Sequence, residues 1–186
     1  MDFVELKIGG FGGQGIILAG LIIGKAATLF DNQHSAMTQS FGPEARGSAC
    51  SSQVIISKNR ILYPYVRRPN ILVVMSQEAF TKFSPSLAPG GTLLYESDLV
   101  EVANLPAGVK TAGIPCTRIA EELGTKIVAN IVMVGFFTGQ TGVVSREAMR
   151  KSIENSVPRG TEKLNLEAFE RGYGFRSSDA EVRVAS

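Results

Sequence analysis

The sequence predicts an α/β fold in three layers, with helices on both faces of a mixed, mostly parallel sheet and a helical C-terminal third. Three observations carry this. Short runs that are apolar throughout, or apolar at every second position, alternate with longer runs of helical period. Clusters such as FGPEARGS (41–48) and Pro89-Gly90-Gly91 punctuate the runs. Lys58-Asn59-Arg60 lies between two apolar segments and reads as a hairpin turn, which adds antiparallel pairing.

Residues 3–8 (FVELKI) alternate as a strand, and 9–15 (GGFGGQG) turn the chain. Residues 16–30 are apolar on nearly every face and predict a buried helix, with Gly20 and Gly24 one turn apart as points of close approach. Asp31-Asn32 breaks it, 35–39 is extended, and 41–48 is a loop. Residues 51–57 and 61–65 form the expected hairpin. Residues 71–75 are a fully apolar strand, and Ser76 caps a helix beginning at Gln77. Strands follow at 92–96 and 109–114, the second ended by Pro115. Helices are expected at 117–123, stopped by Gly124, and at about 127–140. Two more follow: one capped by Ser145 that carries Met149 and Ile153, and one at 165–173. Residues 1–176 read as one domain and 177–186 as a loose tail.

Composition narrows the function. The 186 residues are 44% hydrophobic and 19% charged, an ordinary globular balance, and the net charge of +2 is too small to argue for nucleic acid or an anionic membrane. Residues 16–30 and 127–137 are shorter than the ~20 residues of a membrane span, and Lys25 or Asn130 interrupts them. The opening MDFVELK has no basic region leading into an apolar stretch, so no signal peptide is expected. Cys50 and Cys116 stand far apart and outside any CxxC pattern. They are expected to be reduced thiols of a cytoplasmic protein, unable to hold an iron–sulfur cluster or a structural zinc.

Two stretches look like sites. Gly10, Gly12 and Gly15 fit GxGxxG between a strand and a helix, where amides at the helix N-terminus receive a pyrophosphate. A nicotinamide cofactor also needs an acid at the end of the second strand, and HSAMTQSFG has none; nor does a Lys-Ser or Lys-Thr pair follow the glycines. Two readings stand side by side: the glycines let helix pack tightly on sheet, or an anion or another subunit's backbone lies over the loop, with Gln14 as a donor to either. The second stretch is TQSFGPEARGS (38–48). Pro43 stiffens it, Gly42 and Gly47 bend it, and Glu44 and Arg46 project. They are either a surface ion pair, worth at most about 1 kcal/mol, or a rigid mount aiming the Arg46 guanidinium at a carboxylate or phosphate. His34 is the only histidine, and neither HExxH, a paired carboxylate face nor a metal-ligand cluster is present. Site-like loops without acid–base machinery suggest part of an enzyme whose chemistry sits elsewhere.

Together GGFGGQGIILAG (9–20), TQSFGPEARGS (38–48) and KIVANIVMVG (126–135) resemble the gamma subunit of the 2-oxoacid:ferredoxin oxidoreductases, the domain shared with pyruvate and ketoisovalerate oxidoreductases. YPYVRRPNILVVMSQEAF (63–80), TGVVSREAM and VPRGTEKLNLEAFERG are most similar to the 2-oxoglutarate (KorC-type) gamma chain. Phe41 stands where that family commonly has tyrosine, and Ser48 where it commonly has a second glycine. The resemblance implies a Rossmann-like module in a cytoplasmic complex that oxidatively decarboxylates a 2-oxoacid to an acyl-CoA and reduces ferredoxin. Thiamine diphosphate, magnesium and iron–sulfur clusters would lie on alpha, beta and ferredoxin-like delta chains, with no cofactor or metal held by this chain alone. Gly10, Gly12, Gly13, Gln14, Gly15 and Arg46 would contact coenzyme A or a subunit, and Phe41, Gly42, Pro43, Glu44 and Asn130 would lie at the junction. The isolated chain would be inactive and at least a homodimer, through its apolar surface.

Overall fold

Three parallel and two antiparallel pairings build one six-stranded sheet in the order β2-β3-β1-β4-β5-β6. The structure is a computed structural model and describes residues 2–40 and 49–176. The strands are β1 (Phe3–Phe11), β2 (His34–Ser40), β3 (Ala49–Ser57), β4 (Ile71–Val74), β5 (Thr92–Glu96) and β6 (Lys110–Ile114). β4 is buried at every position because both of its faces are covered, which is why its sequence does not alternate. β1 alternates in the expected way. Val4, Leu6 and Ile8 enter the larger core, whereas Lys7 and Gly9 face the other side, with the Lys7 ammonium 4.6 Å from the Phe83 ring centre.

The helices are α1 (Ile16–Lys25), α2 (Gln77–Phe83), α3 (Cys116–Glu122), α4 (Ala129–Thr141), α5 (Arg146–Glu154) and α6 (Glu162–Gly174). They divide unequally. α1, α3, α4, α5 and α6 bury one large apolar cluster against one face, and α2 with Val100, Val109 and Leu87 covers the other. The Ser76 and Ser145 hydroxyls each accept an amide bond 3.2 Å long, from Ala79 and Ala148, and cap α2 and α5 as the sequence predicts. α5 is fastened to α1 by the buried Ser152 hydroxyl, which donates to the Ile22 carbonyl at 2.7 Å. Arg146 and Arg150 both pair with Glu170 and clamp α5 to α6.

The structure corrects three expectations. The 61–65 segment is no strand: β3 already has β1 on one side and β2 on the other, so no edge remains for a hairpin partner. β1 does not end at Ile8 but runs through Gly9 and Gly10 to Phe11, opposite Ala49, Cys50 and Ser51. The space over Gly9 belongs to the Phe83 ring, which would lie 2.6 Å from a Cβ there. The 16–30 helix is two pieces, since α1 passes into a π-helical turn, Ala26–Phe30, closed by the Asp31 amide on the Ala26 carbonyl at 3.1 Å. The tail at 177–186 lies outside the described residues.

Candidate functional site at the glycine edge

The C-terminal ends of β1, β4, β5 and β6 share one edge of the sheet, where ligands of open α/β sheets bind. The turn after β1 opens this edge. Its glycines serve two different purposes. A Cβ on Gly10 would lie 2.5 Å from the Gln14 Oε1, and one on Gly15 would lie 2.2 Å from the Asn130 Nδ2. Gly15 also has a φ of 71°, in the left-handed region. By contrast, a Cβ on Gly12 or Gly13 would meet nothing within 4 Å. The first group is closed packing, and the second is bare backbone facing out.

Gln14 holds the turn together. Its carboxamide oxygen accepts from the Phe11 amide at 2.7 Å, and its nitrogen donates to the Met75 carbonyl at 2.9 Å, tying the β1 turn to the end of β4. Asn130, buried at the start of α4, donates to the Gly15 carbonyl at 3.2 Å. That bond satisfies a buried amide within the chain and fixes where α1 begins relative to α4. Both side chains thus shape the turn from inside.

The second predicted loop joins this edge through its ends. Ser40 pairs with Ser51, and Ala49 pairs with Phe11 beside the glycine turn. The Ala49 amide also donates to Glu78 Oε1 at 3.3 Å, in the first turn of α2. Phe41, Gly42, Pro43, Glu44 and Arg46 themselves lie outside the described residues.

Antiparallel β3 occupies the place beside β1 where a dinucleotide fold would bring its second parallel strand and ribose-binding acid. Phe11 is partly exposed at the turn, and Ile127 is 85% exposed just before α4, whose Asn130 reaches Gly15. No described group of three or more His, Cys, Asp or Glu residues is placed to hold a metal. His34 lies at the opposite edge, paired with Ser57 beside the start of β1. A shallow groove of about 390 Å³, lined by Arg118, Glu122, Arg171 and Phe175 among others, lies beyond β6. The edge therefore offers backbone amides, open glycines and apolar rims, which suit binding rather than bond-making.

One carboxylate here escaped the sequence reading. Glu96, at the end of β5, is fully buried and caps α3. It accepts from the Thr117 amide at 2.8 Å, the Thr117 hydroxyl at 3.1 Å and the Asp98 amide at 3.2 Å. Burial pushes its pKa up, against the pull of those donors. A raised folded-state pKa means that the stability due to the neutral acid is fully present below the unfolded value. It is lost as pH rises through the folded value. Glu96→Gln should remove that slope, flattening stability against pH above the ordinary carboxylate range in urea titrations; an unchanged slope would show that Glu96 does not cause it.

The profile of the pyruvate ferredoxin/flavodoxin oxidoreductase family matches residues 5–175. The 2-oxoglutarate synthase subunit KorC of Methanocaldococcus jannaschii is 52% identical over 91% of this chain and 91% of its own. The ketoisovalerate oxidoreductase subunit VorA of Methanothermobacter thermautotrophicus is 36% identical over 91% of this chain but only 35% of its own. The crystal structure of the keto/oxoacid ferredoxin oxidoreductase gamma subunit of Geobacter sulfurreducens superposes with a TM-score of 0.83 at 39% identity, covering 93% of this chain and 95% of that one.

Proposed function

Because the chain belongs to the pyruvate ferredoxin/flavodoxin oxidoreductase family, we propose that it is the gamma subunit of a multi-subunit 2-oxoacid oxidoreductase acting on 2-oxoglutarate. The complex converts 2-oxoglutarate and coenzyme A to succinyl-CoA and CO2, releasing one proton and passing two electrons to ferredoxin. The observation that carries this reading is the 52% identity to a 2-oxoglutarate synthase subunit along nearly the full length of both chains. Thiamine diphosphate, magnesium and the iron–sulfur clusters belong to alpha, beta and ferredoxin-like delta partners in the cytoplasm. This chain docks on them by the glycine edge. The bare Gly12-Gly13 backbone admits a partner's main chain or a phosphate of coenzyme A, and Phe11 and Ile127 add apolar contact.

Purification through a tag on this chain, with the partners identified by mass spectrometry, tests the reading. A thiamine-type chain pair should accompany it, and dye reduction should require 2-oxoglutarate in preference to pyruvate or 2-oxoisovalerate. The isolated chain should be inactive and sediment as a homodimer. Recovery of the chain alone under mild crosslinking would overturn the assignment.

A second reading makes the same edge a pure assembly surface that touches no small molecule, favoured by the exposure of Ile127. Arg46→Ala in the assembled complex separates the two. If Arg46 grips a coenzyme A phosphate, its KM should rise about tenfold or more, as expected for loss of one charge-assisted bond. Unchanged KM and turnover leave the assembly surface.

A further inference from the structure

The opposite edge of the sheet carries a second feature, which the glycine edge does not use. Residues 58–68 leave the end of β3 and cross beside the start of β1 without forming a strand. Leu62 is 87% exposed, Tyr63 52% and Tyr65 55%. The two tyrosine rings lie 5.3 Å apart, and the Arg67 guanidinium sits 4.8 Å from the Tyr63 ring centre. Lys58, Arg60, Arg67 and Arg68 surround them, all exposed. Lys58 pairs with Asp2 at 2.8 Å, whereas the three arginines have no carboxylate partner within 4.0 Å among the described residues.

This segment is exposed and anchored at its ends. The Arg67 amide donates to the Glu5 carboxylate at 3.0 Å, the Asn70 amide to the Glu5 carbonyl at 3.0 Å, and the Glu5 amide to Asn70 Oδ1 at 3.0 Å. Pro64 and Pro69 reduce its freedom further. Tyrosine and arginine exposed on a stretch pinned at its ends suit the centre of a protein interface, since such a stretch has less freedom to lose on binding.

We propose that residues 58–68 form a second docking surface, at the opposite edge from the glycine turn, for an acidic surface on a different subunit of the complex. The charge decides the occupant. Two copies of this chain meeting here would bring six unpaired guanidiniums together, which disfavours self-association. A nucleic acid strand would need a longer cationic track than three arginines, and Arg67 already covers one of the two rings on which a base could stack. An acidic protein face meets both the apolar centre and the cationic rim. The proposal rests on the reading of the chain as a complex subunit and gives it two faces, so that it can bridge two neighbours.

The test compares the complex carrying wild-type chain with complexes carrying Arg60→Gln/Arg67→Gln/Arg68→Gln or Leu62→Ser/Tyr65→Ser. All of these side chains are solvent-exposed, and unchanged melting of each isolated variant checks that it folds. Both variants should release one and the same acidic subunit at least about tenfold faster, as interface losses fall mainly on dissociation. The wild-type rate should rise with salt, and the arginine variant should lose that dependence. Carbodiimide should join Lys58 to an aspartate or glutamate of the released subunit. If the wild-type complex assembles and both variants keep every subunit with wild-type rates, this surface is idle and the subunit assignment still stands. If wild-type chain recovers no partner, the subunit assignment itself falls. Tight, salt-dependent binding of a labelled single-stranded RNA, lost in the arginine variant, would overturn the protein partner in favour of nucleic acid.

Discussion

Gly172→Ala should destabilise the chain by about 3 kcal/mol or more, enough to leave much of it unfolded at 37 °C. A methyl group at Gly172 would stand 1.9 Å from the Val132 carbonyl oxygen and 3.0 Å from the Phe136 amide nitrogen. Both are backbone atoms of α4, so no rotamer change relieves the overlap, and the helices must separate. The seam is glycine on both sides. A Cβ on Gly135 would lie 2.1 Å from the Phe169 carbonyl, and one on Gly139 would lie 2.7 Å from the Tyr173 carbonyl. Between these approaches sit Phe136 and Phe169, both fully buried, which lose packing as soon as the helix axes part. Urea unfolding of Gly172→Ala beside the exposed Gly160→Ala checks the prediction. A loss at position 172 no larger than at 160, where the only cost is a left-handed φ of 88°, would show that the seam yields.

Gly15→Ala should cost about 3 kcal/mol, from a steric overlap and from left-handed backbone of 1–2 kcal/mol. The overlap is with the Asn130 carboxamide, whose nitrogen would be 2.2 Å from the new methyl and which donates to the Gly15 carbonyl. Asn130→Ala alone should cost about 1–2 kcal/mol, through the lost bond and the gap it leaves. Because one change makes room for the other, the double variant should be more stable than the sum of the single losses predicts, by about 1 kcal/mol. Strict additivity would show that the two residues do not share the space. Gly12→Ala, with nothing within 4 Å, should leave stability within about 0.5 kcal/mol and so serves as the probe of docking alone.

These two predictions mark where the sequence was legible and where it was not. Period and punctuation located every strand of the sheet and the caps at Ser76 and Ser145, because those signals are local. The false hairpin at 61–65 came from reading apolar residues as strand, when Leu62, Tyr63 and Tyr65 are exposed. What decides there is whether β3 has a free edge, and that depends on β1, more than 40 residues earlier. GGFGGQG announced a special turn, but local pattern could not separate closed Gly10 and Gly15 from open Gly12 and Gly13, since the closing atoms include Asn130. Glu96 was missed for the same reason. An acid ending an apolar strand reads as the point where the strand meets water, and its partner Thr117, 21 residues on, is supplied by the fold. Gly135, Gly139 and Gly172 passed unremarked because no single segment shows that two helices touch backbone to backbone.

The unequal layering has a consequence for how the chain comes off the ribosome. The antiparallel half, β1 with β3 and β2, is complete once residue 57 has been made, and α1 already lies beside it. The layer that shields α1 comes last: α4, α5 and α6 begin at Ala129 and end at Gly174. Until Ser152 arrives, the Ile22 carbonyl has only the Ala26 amide as donor, and the apolar flank of α1 has no cover from α5. The nascent chain therefore carries an early, half-clothed sheet through most of its synthesis, a state that invites chaperone binding. A release that stops short of α6 leaves the large core open along one side, so synthesis must pass Gly174 before the protein can keep water out.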